Sequence, residues 1–175
     1  AANEITQRAI AGLQKANPKP LAWATSLSCI TPANYDDNLD LLNDCDLIVE
    51  AIAERLDWKE ALYSKIASSV NEHAIIASNT SGLSIETLAG SLPVYFRSRF
   101  CGIHFFNPPR YMPLVELIPH TGTATHILPQ LETFLVTALG KSVIIAKDTP
   151  NFIANRLVVF SMLATCIHTE KFNIP

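Results

Sequence analysis

The chain has 175 residues, 49% of them apolar and 17% charged, with 13 basic against 16 acidic side chains and a formal charge of −3. That length suits one domain able to bury roughly 70% of its unfolded surface, and the composition excludes intrinsic disorder. A slightly acidic balance without a block of like charge predicts no nucleic-acid or anionic-membrane partner, and the apolar runs are too short to span a bilayer. Four widely spaced cysteines, Cys29, Cys45, Cys101 and Cys166, in a chain with no secretory pattern predict free thiols in a reducing, cytoplasmic setting.

Taken in chain order, Ile5, Ala9, Ile10, Leu13 and Ala16 share one helical face and are followed by Asn17, Pro18 and Pro20, so a helix is expected over Asn3–Ala16. An apolar piece at Ser26–Ile30 precedes a turn-rich stretch and a small helix through Asp37–Leu42, whose acidic start suits a helix N-terminus. Asp46–Ile52, reading DLIVEAI, is a buried strand; Leu56, Leu62, Ile66 and Val70 mark a helix over Leu56–Val70; Ala74–Ser78 returns as a strand. Strands apolar on both faces and joined by such helices indicate a parallel sheet covered on both sides, so the fold class is α/β. A helix near Ile85–Ser91, strands at Phe100–Phe106 and Leu114–Ile118 around a turn at Asn107–Pro109, and a helix over Ile127–Leu139 closed by Gly140 follow. Val143–Ala146 is the last strand, and Asp148, Thr149 and Pro150 open a long apolar helix running to about His168.

Such a chain invites a search for the glycine-rich loop that lets a backbone approach a pyrophosphate. The six glycines (Gly12, Gly82, Gly90, Gly102, Gly122, Gly140) are isolated, and the chain opens on a helix. The more economical reading is a Rossmann-like, doubly wound, mostly parallel sheet whose first strand and glycine loop lie upstream of residue 1; the other is a chain without a dinucleotide site.

Polar residues cluster where parallel strands end: Glu50 and Glu54, then Ser78, Asn79, Thr80 and Ser81, then His104 and Asn107. Glu116 interrupts the apolar LVELI. A carboxylate in a buried strand requires a partner, and His104 is the nearest candidate. A histidine held by a carboxylate has a fixed tautomer and a stabilised imidazolium, which suits a general base. The competing reading has His104 capping a strand end and Glu116 satisfied by backbone donors. Cys101-x-x-His104 has no second half at ligand spacing, so no metal site is expected, and Cys101 reads as a small core residue.

In order, DLIVEAIAERLDWKEAL, ASNTSGLSI, GIHFFNPPRYMPLVEL, LGKSV and KDTPNFIANRL resemble the NAD-binding domain of the L-3-hydroxyacyl-CoA dehydrogenase family, from about Asn43 to Leu157. ERLD and FFNPPRYM are similar to a bacterial branch of multifunctional fatty acid β-oxidation proteins that carry this domain beside an enoyl-CoA hydratase module. The resemblance implies an oxidoreductase that interconverts (S)-3-hydroxyacyl-CoA and 3-ketoacyl-CoA with NAD. It makes His104 the catalytic base and Glu116 its supporting carboxylate, gives Ser81 and Asn155 to the substrate's oxygen functions, and lines the cofactor with Ile52, Ala53, Glu54, Lys59, Ser81 and Asn107. Asn151 stands where the family usually has glycine, and asparagine tolerates a left-handed backbone.

The family's glycine loop and C-terminal helical domain have no counterpart here, so residues 1–175 are expected to be a partial NAD-binding domain, with 151–175 the helix leading toward the missing domain. A fragment of this kind is expected to be inactive alone and to leave an apolar face of its last helix exposed. The expected partners are an acyl-CoA substrate and, in the parent protein, a homodimer or multifunctional complex. The alternative is a noncatalytic CoA- or nucleotide-binding module of the same fold; a weaker one is a hydroxy-acid dehydrogenase with a catalytic lysine.

Overall fold

The computed structural model describes residues 3–174. Helix α1 (Glu4–Leu13) forms within the expected range and buries none of its residues. The two apolar pieces that follow are 3₁₀ helices at Ala24–Cys29 and Leu39–Asp44. The second starts two residues later than the composition implied, because the Asn34 side-chain oxygen accepts the amides of Asp36 and Asp37, both at 2.8 Å. That local turn uses the donors a helix would begin with.

The α/β body is β1 (Leu47–Glu50), α2 (Leu56–Ile66), β2 (Ile75–Ser78), α3 (Ile85–Ser91), α4 (Val94–Arg97), β3 (Phe100–Phe105), β4 (Leu114–Ile118), α5 (Ile127–Thr137), β5 (Ser142–Ile145) and α6 (Ala154–Lys171). The five strands lie side by side in chain order, all neighbours parallel except the β3–β4 pair. The sheet is Rossmann-like and mostly parallel.

Alternation along each strand feeds two cores. Ile76, Phe100 and Ile118 point to the side covered by α2 and α3, where Tyr63, Ile66, Ile85, Leu88 and Phe96 pack. Ile75, Ala77, Cys101, Ile103, Val115 and Leu117 point to the other side, against Ile127, Leu131 and Leu135 of α5. Gly140, at φ +64°, turns the chain out of α5 as expected of a residue with no Cβ.

The last helix begins at Ala154 and not at the Asp148–Pro150 start the sequence implied. Asn151 and Phe152 both take left-handed conformations, φ +62° and +50°, which a right-handed helix cannot include. Asn151 thus takes a left-handed conformation, which asparagine tolerates. Helix α6 buries no residue, and Leu157, Phe160, Met162, Leu163 and Ile167 are all exposed. None of the described helices is long and apolar enough to cross a membrane.

Candidate active site

Antiparallel pairing of β3 with β4 sets His104 directly opposite Glu116. Both are buried, and His104 Nδ1 lies 2.7 Å from Glu116 Oε2. The second carboxylate oxygen accepts the Ile153 and Ala154 amides, each at 2.9 Å. The expected pair forms, and the backbone donors of the competing reading are present too, as the first amides of the segment entering α6, although His104 lies within β3 and does not cap its end. A carboxylate oxygen can only accept in this pair, so Nδ1 carries the hydrogen and the neutral ring presents Nε2 as an acceptor. Among the described residues no solvent-shielded side-chain nitrogen or oxygen lacks a partner, so Nε2, which bonds to no protein group, is the ring atom that opens outward. Phe106 and Phe152 flank the ring, with centroids 4.5 and 5.6 Å away.

The ends of β1 and β2 form a second group. Glu50, buried, accepts Lys59 Nζ at 2.6 and 2.8 Å, the Tyr63 hydroxyl at 3.1 Å, the Ser78 hydroxyl at 2.6 Å and the Ile52 amide at 2.6 Å. Burial and the adjacent Glu50 charge push the Tyr63 phenol above its ordinary range. Lys59 is fully buried beneath the 51–55 loop. Its link to the expected cofactor side is indirect, through the Ile52 carbonyl at 3.5 Å and Glu54 at 4.0 Å.

Glu54 joins this loop to the next. One of its oxygens accepts the Thr80 hydroxyl at 2.5 Å and the amides of Ser81 and Gly82 at 2.9 Å and Leu83 at 3.3 Å. Partial burial raises the Glu54 pKa, but these donors outweigh it and hold the carboxyl below its usual value. Asn79 Oδ1 accepts the Phe105 amide at 2.9 Å, tying the end of β2 to that of β3.

Ile52 is half-buried, Ala53 and Glu54 are exposed, and so are Ser81 and Asn107; Asn155 sits half-buried in the first turn of α6. Sequence reasoning missed Asp148, whose carboxylate accepts the Ser84 hydroxyl at 2.8 Å and the amides of Ile85 and Glu86 at 3.0 and 2.9 Å. The sequence offers no signal for this, since Asp148 reads there as the start of the last helix. Also unforeseen, the Lys141 ammonium is taken by the Pro109 and Met112 carbonyls, closing the loop between His104 and Glu116.

Ala51 and Ala53 are small and exposed, and Glu54 of the same loop ties it to the Ser81 amide. Gly82, the glycine between β2 and α3, has its amide engaged by Glu54, so it is no pyrophosphate cradle. No group of three or more metal-ligating side chains occurs among the described residues.

Comparisons with known proteins point to one family. Residues 1–149 match the family described as 3-hydroxyacyl-CoA dehydrogenase, NAD binding domain. A putative fatty acid oxidation complex trifunctional enzyme of Rickettsia felis is 44% identical over 158 residues, 90% of this chain and 22% of that protein. A probable 3-hydroxyacyl-CoA dehydrogenase of Bacillus subtilis is 39% identical over 93% of this chain and 21% of its own length. The crystal structure of M. tuberculosis FadB2 superposes with a TM-score of 0.80 at 29% identity, covering 94% of this chain and 58% of that one. The chain thus spans about a fifth of the length of the first two relatives.

Proposed function

The chain belongs to the 3-hydroxyacyl-CoA dehydrogenase family, and from that premise we propose that it supplies the NAD-binding half of an enzyme interconverting (S)-3-hydroxyacyl-CoA and 3-ketoacyl-CoA in fatty acid oxidation. The observation that carries this reading is the 2.7 Å pair of His104 Nδ1 with Glu116, which leaves Nε2 as an acceptor.

In the oxidation direction, Nε2 takes the proton of the substrate hydroxyl as C3 becomes a carbonyl. The imidazolium so formed is stabilised by Glu116, whose other oxygen is held in place by the Ile153 and Ala154 amides. Phe106 and Phe152 limit water at the ring, which strengthens that electrostatic support. Ser81 and Asn155 hold the substrate's oxygen, so the proton travels a fixed short path. NAD, when bound along Ile52–Glu54, Ser81 and Asn107, supplies the hydride acceptor. Lys59 supports that rim from below through Glu50 and the Ile52 carbonyl.

The reading extends to a cytoplasmic protein acting as a homodimer or within a multifunctional chain, supported by the trifunctional relative and by the apolar face of α6. Replacing His104 by Gln and following 3-ketoacyl-CoA-dependent NADH oxidation by the full-length protein tests it. The expected result is loss of turnover with the fold intact; an undiminished rate contradicts it.

A further inference from the structure

We infer that Asp148 is a positioning residue that sets the strap 148–155 against the His104–Glu116 pair and locks it to the loop bearing Ser81; the inference rests on the dehydrogenase reading above.

The strap is held at both ends by carboxylates that lie outside its own hydrogen-bonding pattern. At its start, Asp148 takes three donors from residues more than 60 positions away: the Ser84 hydroxyl and the Ile85 and Glu86 amides. At its end, Glu116 takes the Ile153 and Ala154 amides. Between the two lie Asn151 and Phe152, consecutive non-glycine residues with φ +62° and +50°. For a bulky residue such as Phe152 this conformation is unfavourable and persists only where the surroundings over-determine it.

What the arrangement achieves is visible in the ring it presents. Phe152 is 2% exposed, joins the core beside Ile85 and Ala146, and has its ring centroid 5.6 Å from that of His104. Two residues further on, the amide of Ala154 is on Glu116, and Asn155 follows it. The partner loop is fixed too. Ser84 accepts the Thr87 amide while donating to Asp148, and a Cβ placed on Gly82, next to Ser81, would lie 3.5 Å from Asn151 Oδ1. One side chain thus bears on three contacts: Phe152 to the base, the amides to Glu116, and Asn151 to the Ser81 loop. Since Asp148 itself touches neither His104 nor Glu116, its effect is on placement.

The test compares wild type, Asp148→Ala and Asp148→Asn in the full-length protein, by peptide-resolved hydrogen exchange and by steady-state 3-ketoacyl-CoA reduction with NADH. Loss of charge-assisted hydrogen bonds should raise exchange about tenfold in both 83–88 and 150–156 in the Ala variant, with β3 and β4 unchanged. Misplacement of the strap should lower kcat by about 10- to 100-fold while KM for the acyl-CoA stays within about twofold. The Asn variant, which keeps one accepting oxygen, should recover most of both effects. Should the Ala variant not fold, Ser84→Ala, which deletes a single donor to Asp148, carries the same test with a smaller change. Unchanged exchange at 150–156, or an unchanged kcat in an active protein, overturns the inference about Asp148. A folded wild type without turnover overturns the dehydrogenase reading and the positioning role with it, while its exchange pattern still reports whether Asp148 joins the two segments.

Discussion

Two buried glutamates, one closing β1 and one inside β4, have opposite fates. Glu50, at the end of β1, is taken up by a lysine, a tyrosine and a serine, all buried, and by a backbone amide. Glu116, in β4, is as deeply buried, yet one of its donors is an imidazole whose far nitrogen stays open. Burial of a carboxylate marks a demand for partners in both cases. Chemistry arises only where the partner can change its own protonation and still reach a substrate. We therefore read the Glu50 group as the foundation of the 51–55 rim and the Glu116 group as the reacting centre.

The sharpest way to break this contrast is to mutate one partner in each group. His104→Gln should lower turnover by about 10²- to 10⁴-fold with little change in the denaturant midpoint. Lys59→Met should do the reverse. Removing one partner of a buried pair costs on the order of 3–5 kcal/mol, read by urea unfolding, while the turnover of whatever remains folded stays much closer to wild type. A large activity loss without destabilisation in Lys59→Met would merge the two groups. Glu116→Gln lies between them: an amide supports the imidazolium less well, and we expect about a 10- to 100-fold fall in kcat together with faster exchange at the Ile153 and Ala154 amides.

Much of this was legible beforehand. β4 and α3 lie at their expected residues, Leu114–Ile118 and Ile85–Ser91, because apolar runs bounded by turn residues leave few alternatives. The His104–Glu116 contact followed from two adjacent strands. Its other half did not, since the amides that Glu116 takes belong to residues 37 and 38 positions away across a chain reversal. The clasp of Asp148 on α3 was hidden for the same reason. Lys59 is assigned to the cofactor lining by the family resemblance, which does not give the depth at which its ammonium is stopped by Glu50. The late start of α6 required knowing that Phe152 accepts a left-handed backbone, which its side chain does not advertise.

Two smaller effects sharpen the comparison. Burial pushes the Cys101 thiol up to about 12, so in the native protein it should resist alkylation at pH 8 while exposed Cys29 reacts. Prompt labelling of Cys101 in Lys59→Met but not in His104→Gln would report the expected difference in opening. Glu54 sets the weakest effect. Its folded pKa is depressed, so the stability it adds is fully present above its unfolded value near 4.5 and is lost as pH falls through the lower folded value. Exchange of the Ser81 and Gly82 amides should therefore rise in that acid range, and Glu54→Gln should remove the dependence.

The most direct measurement of the central claim is NADH oxidation by the full-length protein with acetoacetyl-CoA, wild type beside His104→Gln and Lys59→Met, with each variant's unfolding midpoint taken in parallel. The account predicts turnover that vanishes in His104→Gln at an unchanged midpoint and a midpoint that falls in Lys59→Met. A folded His104→Gln variant that turns over at the wild-type rate would contradict it and leave the Glu116 pair as a structural ion pair like the one at Glu50.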